Sequence, residues 1–194
     1  KHSEQLLLQS NKKLEELVTI DALTNVANRR FFDLRLDAEF RRAIREKISI
    51  ALIFFDIDYF KHYNDHFGHL AGDKCLVAIA QVLRQHFKRA TESVCRYGGE
   101  EFVAIITNTS ALEVGNCAEK TRKAVEQLQL SQGENCPAQY VTLSCGTAII
   151  QPGLDDTPEE LIQAADSALY LAKNSGRNCV RSRSAQGLKS LSDR

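Results

Sequence analysis

Arg96-Tyr97-Gly98-Gly99-Glu100-Glu101-Phe102 separates two strand-like stretches. Ser93-Val94-Cys95 precedes it, and Phe102-Val103-Ala104-Ile105-Ile106 follows. Paired glycines in that setting predict a tight hairpin with positive φ at both central positions. Two carboxylates come next. Strand alternation predicts Glu100 and Glu101 on opposite faces. A turn does not need two acids. The pair gains meaning only beside a cation or a basic group.

Upstream, residues 48–57 form a nearly continuous apolar run, the pattern of a strand buried on both faces. It ends in Asp56-Ile57-Asp58, and alternation puts the two aspartates on one side. A buried carboxylate is costly unless paired or metal-bound. One acid closing a strand is ordinary solvation. Two, aimed where an acidic hairpin can meet them, point to a divalent cation with hard oxygen ligands such as Mg²⁺. His62 and His66 lie four apart, but Tyr63 stands where a zinc-protease helix needs Glu, which argues against zinc.

Further upstream, residues 21–30 are polar and turn-like, with Asn28 as an N-cap. Phe32, Leu36, Phe40 and Ile44 then step as an amphipathic helix, and so do Leu76, Ile79, Leu83 and Phe87 after the aspartates. Beyond the hairpin, Ser110 with Glu113 predicts a capping box, as does Thr157 with Glu160 after Pro158. Residues 140–150 read as a strand, and Cys179-Val180 as a short one. Strands and helices are mixed without the regular alternation of a doubly wound sheet. That favours an α/β sandwich with a mainly antiparallel sheet. Neither a Walker A sequence nor G-x-G-x-x-G occurs, so metal ions and side chains must hold any nucleotide phosphates.

The chain has 194 residues, 43% hydrophobic and 26% charged, with a formal net charge of zero. That argues for a soluble domain and against a general binder of nucleic-acid polymers. The six cysteines form no C-x-x-C pair and are read as reduced core residues of a cytoplasmic protein. Methionine is absent, so Lys1 is read as an internal residue of a longer protein, with any sensor or membrane anchor upstream. Leu7, Leu14 and Leu17 suggest a heptad seam over residues 1–20. That segment is either a helix packed on its own domain or the end of a coiled coil pairing two copies.

Four segments together resemble the GGDEF family, the diguanylate cyclases, in its Glu-containing form. They are the hairpin, the opening segment 21–30, the run 56–73 and the closing segment 164–178. The run matches every fixed position of D-x-D-x-F-K-x-x-N-D-x-x-G-H-x-x-G-D. The opening motif departs by carrying Asn25 for Gly, a mild change because Asn tolerates the left-handed backbone. The resemblance implies a palm-like sandwich with a mainly antiparallel central sheet flanked by helices, similar to nucleotide cyclases and polymerases. It divides the chain into a signalling helix at 1–20, a catalytic domain at 21–183 and a disordered tail at 184–194.

The implied reaction condenses two GTP into cyclic di-GMP with release of two pyrophosphates. The resemblance makes Asp56, Glu100 and the Ile57 carbonyl metal ligands, with Glu101 assisting and Mg²⁺ (or Mn²⁺) as cofactor. It sets Phe60 and Lys61 beside the phosphates, Lys173 and Arg177 as their counter-charges, and Asn64 and Asp73 on the guanine. Each domain takes one GTP, so a homodimer is implied, through the leading helix, face-to-face domains, or both. The family's product-inhibition motif R-x-x-D falls on Arg89-Ala90-Thr91-Glu92, where Glu replaces Asp. A product-binding pair and a solvated helix end both fit there, since the longer acid can either reach a bound guanine or miss it, and the second reading is preferred. Rival readings of the whole are an inactive GTP or cyclic di-GMP receptor and a relay module on the same fold. The intact acids and glycines of the signature argue against the first. A relay role leaves the metal-type acids unexplained.

Overall fold

The computed structural model describes residues 19–185. In chain order it holds β1 (Ala27–Asn28), α1 (Arg29–Glu46), β2 (Ile50–Ile57), α2 (Phe60–Phe67), α3 (His69–His86), β3 (Glu92–Gly98), β4 (Glu101–Thr107), α4 (Ala111–Glu126), β5 (Leu143–Ile150), α5 (Pro158–Asn174) and β6 (Val180–Ser184). β2 is buried along its whole length and sits in the middle, antiparallel to β4 on one side and β5 on the other. The sheet order is β1-β3-β4-β2-β5-β6. The two edge strands run parallel to their neighbours, so the expected antiparallel character holds for the four central strands.

Alternation along β2 feeds two cores. Ile50, Leu52 and Phe54 join Phe32, Leu36 and Phe40 of α1 and Leu161, Ala165 and Leu169 of α5. Ala51, Ile53 and Phe55 join Leu76, Ile79 and Leu83 of α3 and Val114, Ala118 and Val125 of α4. Helices therefore cover both faces, and the C-terminal end of β2 opens at one edge of the sandwich.

The local signals place most element starts. Asn28 Oδ1 accepts from Phe31 N, and both capping boxes form. Asn25 takes the left-handed backbone at φ 56°. The hairpin differs from expectation by one residue. Gly98 ends β3 opposite Glu101, and the turn is Gly99-Glu100, with only Gly99 left-handed, at φ 52°. A shift of register between Arg96 and Gly98 absorbs the difference. Glu100 thus sits in the turn and escapes the strand alternation that put it opposite Glu101.

β1 was not foreseen, since two residues carry no period. β6 runs to Ser184, where the sequence reading begins the tail, and Ala185 is buried. All six cysteines are free, and burial pushes the Cys75 and Cys95 thiols up to about 12. The His62 and His66 rings stack on each other, with His66 against Gly133. No helix of the described residues is long and apolar enough to cross a membrane. Of the helix expected over 1–20 and the tail expected over 184–194, residues 1–18 and 186–194 lie outside the described residues; Ile20 is not helical but bridges to Ala27.

Candidate active site

The end of β2 collects the acids. Asp56 is paired in register with Glu101 of β4 and with Ser144 of β5, so all three share the α1/α5 face. Glu100 enters from the turn. Lys173, in the last turn of α5, donates from Nζ to Asp56 Oδ2 at 2.7 Å. Asp56 is only 5% exposed. Burial raises its pKa to about 6; Lys173 pulls it down, while the Glu100 and Glu101 charges add to the rise. Glu101 is raised too, by burial first and against the pull of Lys173. Three carboxylates thus act on one another at this end of β2, with the Lys173 ammonium paired to Asp56.

The other predicted residues fall into two groups. Phe60 opens α2, buried and stacked on Tyr63, with Lys61 exposed beside it. No side chain caps this helix start, so its first amides are available to an anion. Ile57 turns its side chain into the α3/α4 core. Arg177 lies in the left-handed turn after α5, its guanidinium 4.6 Å from the centre of the Tyr59 ring. Asn64 on α2 faces the start of α3, where Gly72 precedes the exposed Asp73. Asn64 Oδ1 is buried without a hydrogen-bond partner among the described residues.

Asp58 is corrected. It does lie on the Asp56 side, but its carboxylate accepts from Ser144 Oγ (2.6 Å), Thr142 Oγ1 (2.7 Å) and Asn178 N (3.0 Å). It is occupied within the protein. Arg89 and Glu92 are not part of this site. They stand at the far end of β3, about 20 Å away at strand rise. There Glu92 accepts from Arg89 N at 3.0 Å and lies 3.8 Å from its guanidinium, beside a cavity of about 380 Å³ that Lys88 and Lys120 also line.

Two arginines of the site were missed. Arg96 donates to the Gly99 carbonyl from Nε (2.9 Å) and Nη2 (2.8 Å), and from Nη1 to Asp21 Oδ1 at 3.2 Å. It ties the opening segment to the hairpin turn. Arg29 stacks on Tyr97 at 4.5 Å and, after Lys173, opposes the rise of the Glu101 pKa. The Asn28-Arg29-Arg30 string was the available signal for Arg29, but nothing in the sequence said which acid it faces.

A family model described as "Diguanylate cyclase, GGDEF domain" matches residues 18–179. The chain belongs to the GGDEF family. Over 170 residues this GGDEF domain is 38% identical to the response regulator PleD of Caulobacter vibrioides, covering 88% of this chain and 37% of PleD. It spans little more than a third of the length of PleD and of the diguanylate cyclase DosC of Escherichia coli. Its sheet and helices are the palm-like cyclase fold. The coiled coil and GGDEF domain of DgcB from Caulobacter crescentus, solved with c-di-GMP, superposes with a TM-score of 0.79 at 31% identity, covering 94% of each chain. An active GGEEF domain of a Vibrio cholerae diguanylate cyclase superposes at 0.73 with 30% identity, covering 81% of this chain and 97% of that one.

The Gly72 contact gives a test of the guanine contact that the family resemblance implies for Asn64. A Cβ on Gly72 would fall 1.8 Å from Asn64 Oδ1. The clash is with the end of a side chain, so Gly72→Ala in this GGDEF domain should fold with a melting temperature near wild type. Asn64 must swing away, and if it reads the base as the resemblance implies, the Kd for GTP measured by calorimetry should rise roughly tenfold, the worth of one polar contact.

Proposed function

We propose that this domain is a diguanylate cyclase that joins two GTP into cyclic di-GMP and releases two pyrophosphates. The observation that carries the reading is the meeting of Asp56, Glu100 and Glu101 at the end of β2, where buried Asp56 holds the Lys173 ammonium and feels the charge of both glutamates. A cluster so acidic is suited to a cation and the phosphates that come with it. Lys173 Nζ already stands on Asp56 as a positive charge, and the donors are all hard oxygens, which fits Mg²⁺ with Mn²⁺ as its substitute. Asp56, Glu100 and the Ile57 carbonyl would hold the ion. Among the described residues no three His, Cys, Asp or Glu side chains are grouped to hold a metal by themselves. Nucleotide phosphates and water would complete the shell, as is usual for Mg²⁺. Such an ion supplies charge neutralisation on the triphosphate and a lowered hydroxyl pKa.

The chain's own groups do the rest. The amides opening α2 and the Lys61 ammonium receive phosphate oxygens. Lys173 and Arg177 add counter-charge, Lys173 by exchanging Asp56 for the nucleotide. Asp73 accepts from the guanine N1–H and amino group, a donor pair adenine lacks, and Asn64 takes the remaining edge. Each 3′-hydroxyl attacks the α-phosphate of the other GTP, so two domains must meet face to face. A partner copy, an upstream sensor and a cytoplasmic setting, where GTP is used, all belong to this reading.

The test is incubation with GTP and Mg²⁺ over a range of protein concentrations, with chromatographic separation of products. Cyclic di-GMP should form at a rate that rises faster than linearly with protein and should vanish in Glu100→Ala. Tight GTP or cyclic di-GMP binding without product would move the assignment to a receptor. Product binding at Arg89 and Glu92 is proposed to be weak, because Glu92 is already held by the Arg89 amide. Glu92→Asp should free the arginine and lower the product concentration for half-inhibition about tenfold. Unchanged inhibition would make the pair a helix end only.

A further inference from the structure

We propose that Asp58 is a positioning residue that holds the phosphate-side Arg177 in place and is not a metal ligand. Asp58 is 1% exposed. Its carboxylate takes the two hydroxyls and the Asn178 amide described above. Its carbonyl accepts from Gln132 Nε2 at 2.7 Å, and its amide donates to Thr142 O at 2.9 Å. A cation would have to displace several of these bonds to reach it.

The segment Asp58 grips is strained. Gly176, Arg177 and Asn178 have φ of 100°, 63° and 45°, three positive values in succession, two of them on residues with a Cβ. Such a turn persists only where its surroundings over-determine it. Asp58 supplies one side, through the Asn178 amide. The other side comes from α4, where Arg122 donates to Asn178 Oδ1 and Asn178 Nδ2 donates to Glu126 Oε1 at 2.7 Å. The residue after Asp58, Tyr59, is itself left-handed at φ 57°, and its ring lies under the Arg177 guanidinium. One dipeptide therefore fixes both the backbone beside Arg177 and the guanidinium itself. The same dipeptide leads from Asp56 into the open start of α2.

The inference rests on the phosphate role proposed for Arg177, and the experiment separates the two. Asp58→Asn, with its oxygen in the Oδ2 position, keeps the acceptor for both the Asn178 amide and the Thr142 hydroxyl, and its NH₂ in the Oδ1 position can donate to Ser144 Oγ. A positioning role predicts that Asp58→Asn keeps KM for GTP within about twofold of wild type with an unshifted Mg²⁺ midpoint. Asp58→Ala should raise KM about tenfold with a smaller effect on kcat, and Asp58→Ala/Arg177→Ala should be no worse than Arg177→Ala alone. If Asp58→Ala does not fold, Thr142→Val, which deletes one donor to the same carboxylate oxygen, replaces it in the cycle with about a threefold rise in KM. Hydrogen exchange needs no turnover: the Asn178 amide should be protected in wild type and Asp58→Asn and exposed in Asp58→Ala or, partly, in Thr142→Val. A shifted Mg²⁺ midpoint in Asp58→Asn, or effects that multiply with Arg177→Ala, would overturn the proposal. Protection as described with no GTP turnover in wild type would leave the clamp standing and remove the cyclase reading.

Discussion

Asp56→Asn is expected to abolish cyclic di-GMP formation while raising the melting temperature. The loss follows from removing a carboxylate from the proposed cation site, worth at least about a hundredfold in kcat. The gain follows from linkage. Burial lifts the Asp56 pKa from 3.8 to about 6. Between these values the native state binds more protons than the unfolded chain, so stability falls as pH rises through that window and levels off above it. At neutral pH the charged Asp56 therefore destabilises the empty fold, by at most about 3 kcal/mol, or roughly 6–10 °C. Asn has no charge to desolvate and still accepts from Lys173. Melting curves from pH 4 to 8 check this: the difference between variant and wild type should open between about pH 4 and 6 and then hold constant. A difference independent of pH would show that Asp56 is not the group responsible.

Gly146→Ala should give the largest loss of stability. Gly146 lies in β5 opposite Phe54, directly beneath α5. A Cβ there would meet Leu169 N at 2.2 Å, Ala165 O at 2.3 Å and Leu169 Cα at 2.6 Å. These are helix backbone atoms, which cannot swing aside as a side chain can. The small residues Ala164, Ala165, Ala168 and Ala172, all buried, let α5 come this close. The whole helix must lift, at about 3 kcal/mol or more, a fall of roughly 10 °C in melting temperature. Lys173 rides on the same helix, so GTP affinity should fall with stability. A melting temperature within about 2 °C of wild type would contradict the close approach of α5 to the sheet.

Signals confined to a few residues were legible in the sequence. The caps at Asn28, Ser110 and Thr157, the buried strand ending at Asp56 and the left-handed Asn25 each follow from local chemistry. The hairpin was placed, but not its register. Two adjacent glycines allow the turn to centre on either step, and the Arg96 bonds to the Gly99 carbonyl favour the later one. That one-residue choice moves Glu100 from a strand face into the turn, where its charge reaches Asp56. Alternation could not show this, because it applies only inside a strand.

Asp58 marks the boundary between the two kinds of knowledge. By sequence it is the twin of Asp56, two residues on and on the same face. The sequence by itself determined that both are acids at the end of a buried strand, and that they sit in a chain of the GGDEF pattern. Only the tertiary structure decided their different fates. Hydroxyls and an amide arriving from Thr142, Ser144 and Asn178, more than 80 positions away, surround Asp58. Asp56 receives one ammonium and two neighbouring carboxylates. A carboxylate's role depends on which donors fold against it, and donors that far along the chain leave no periodicity to read.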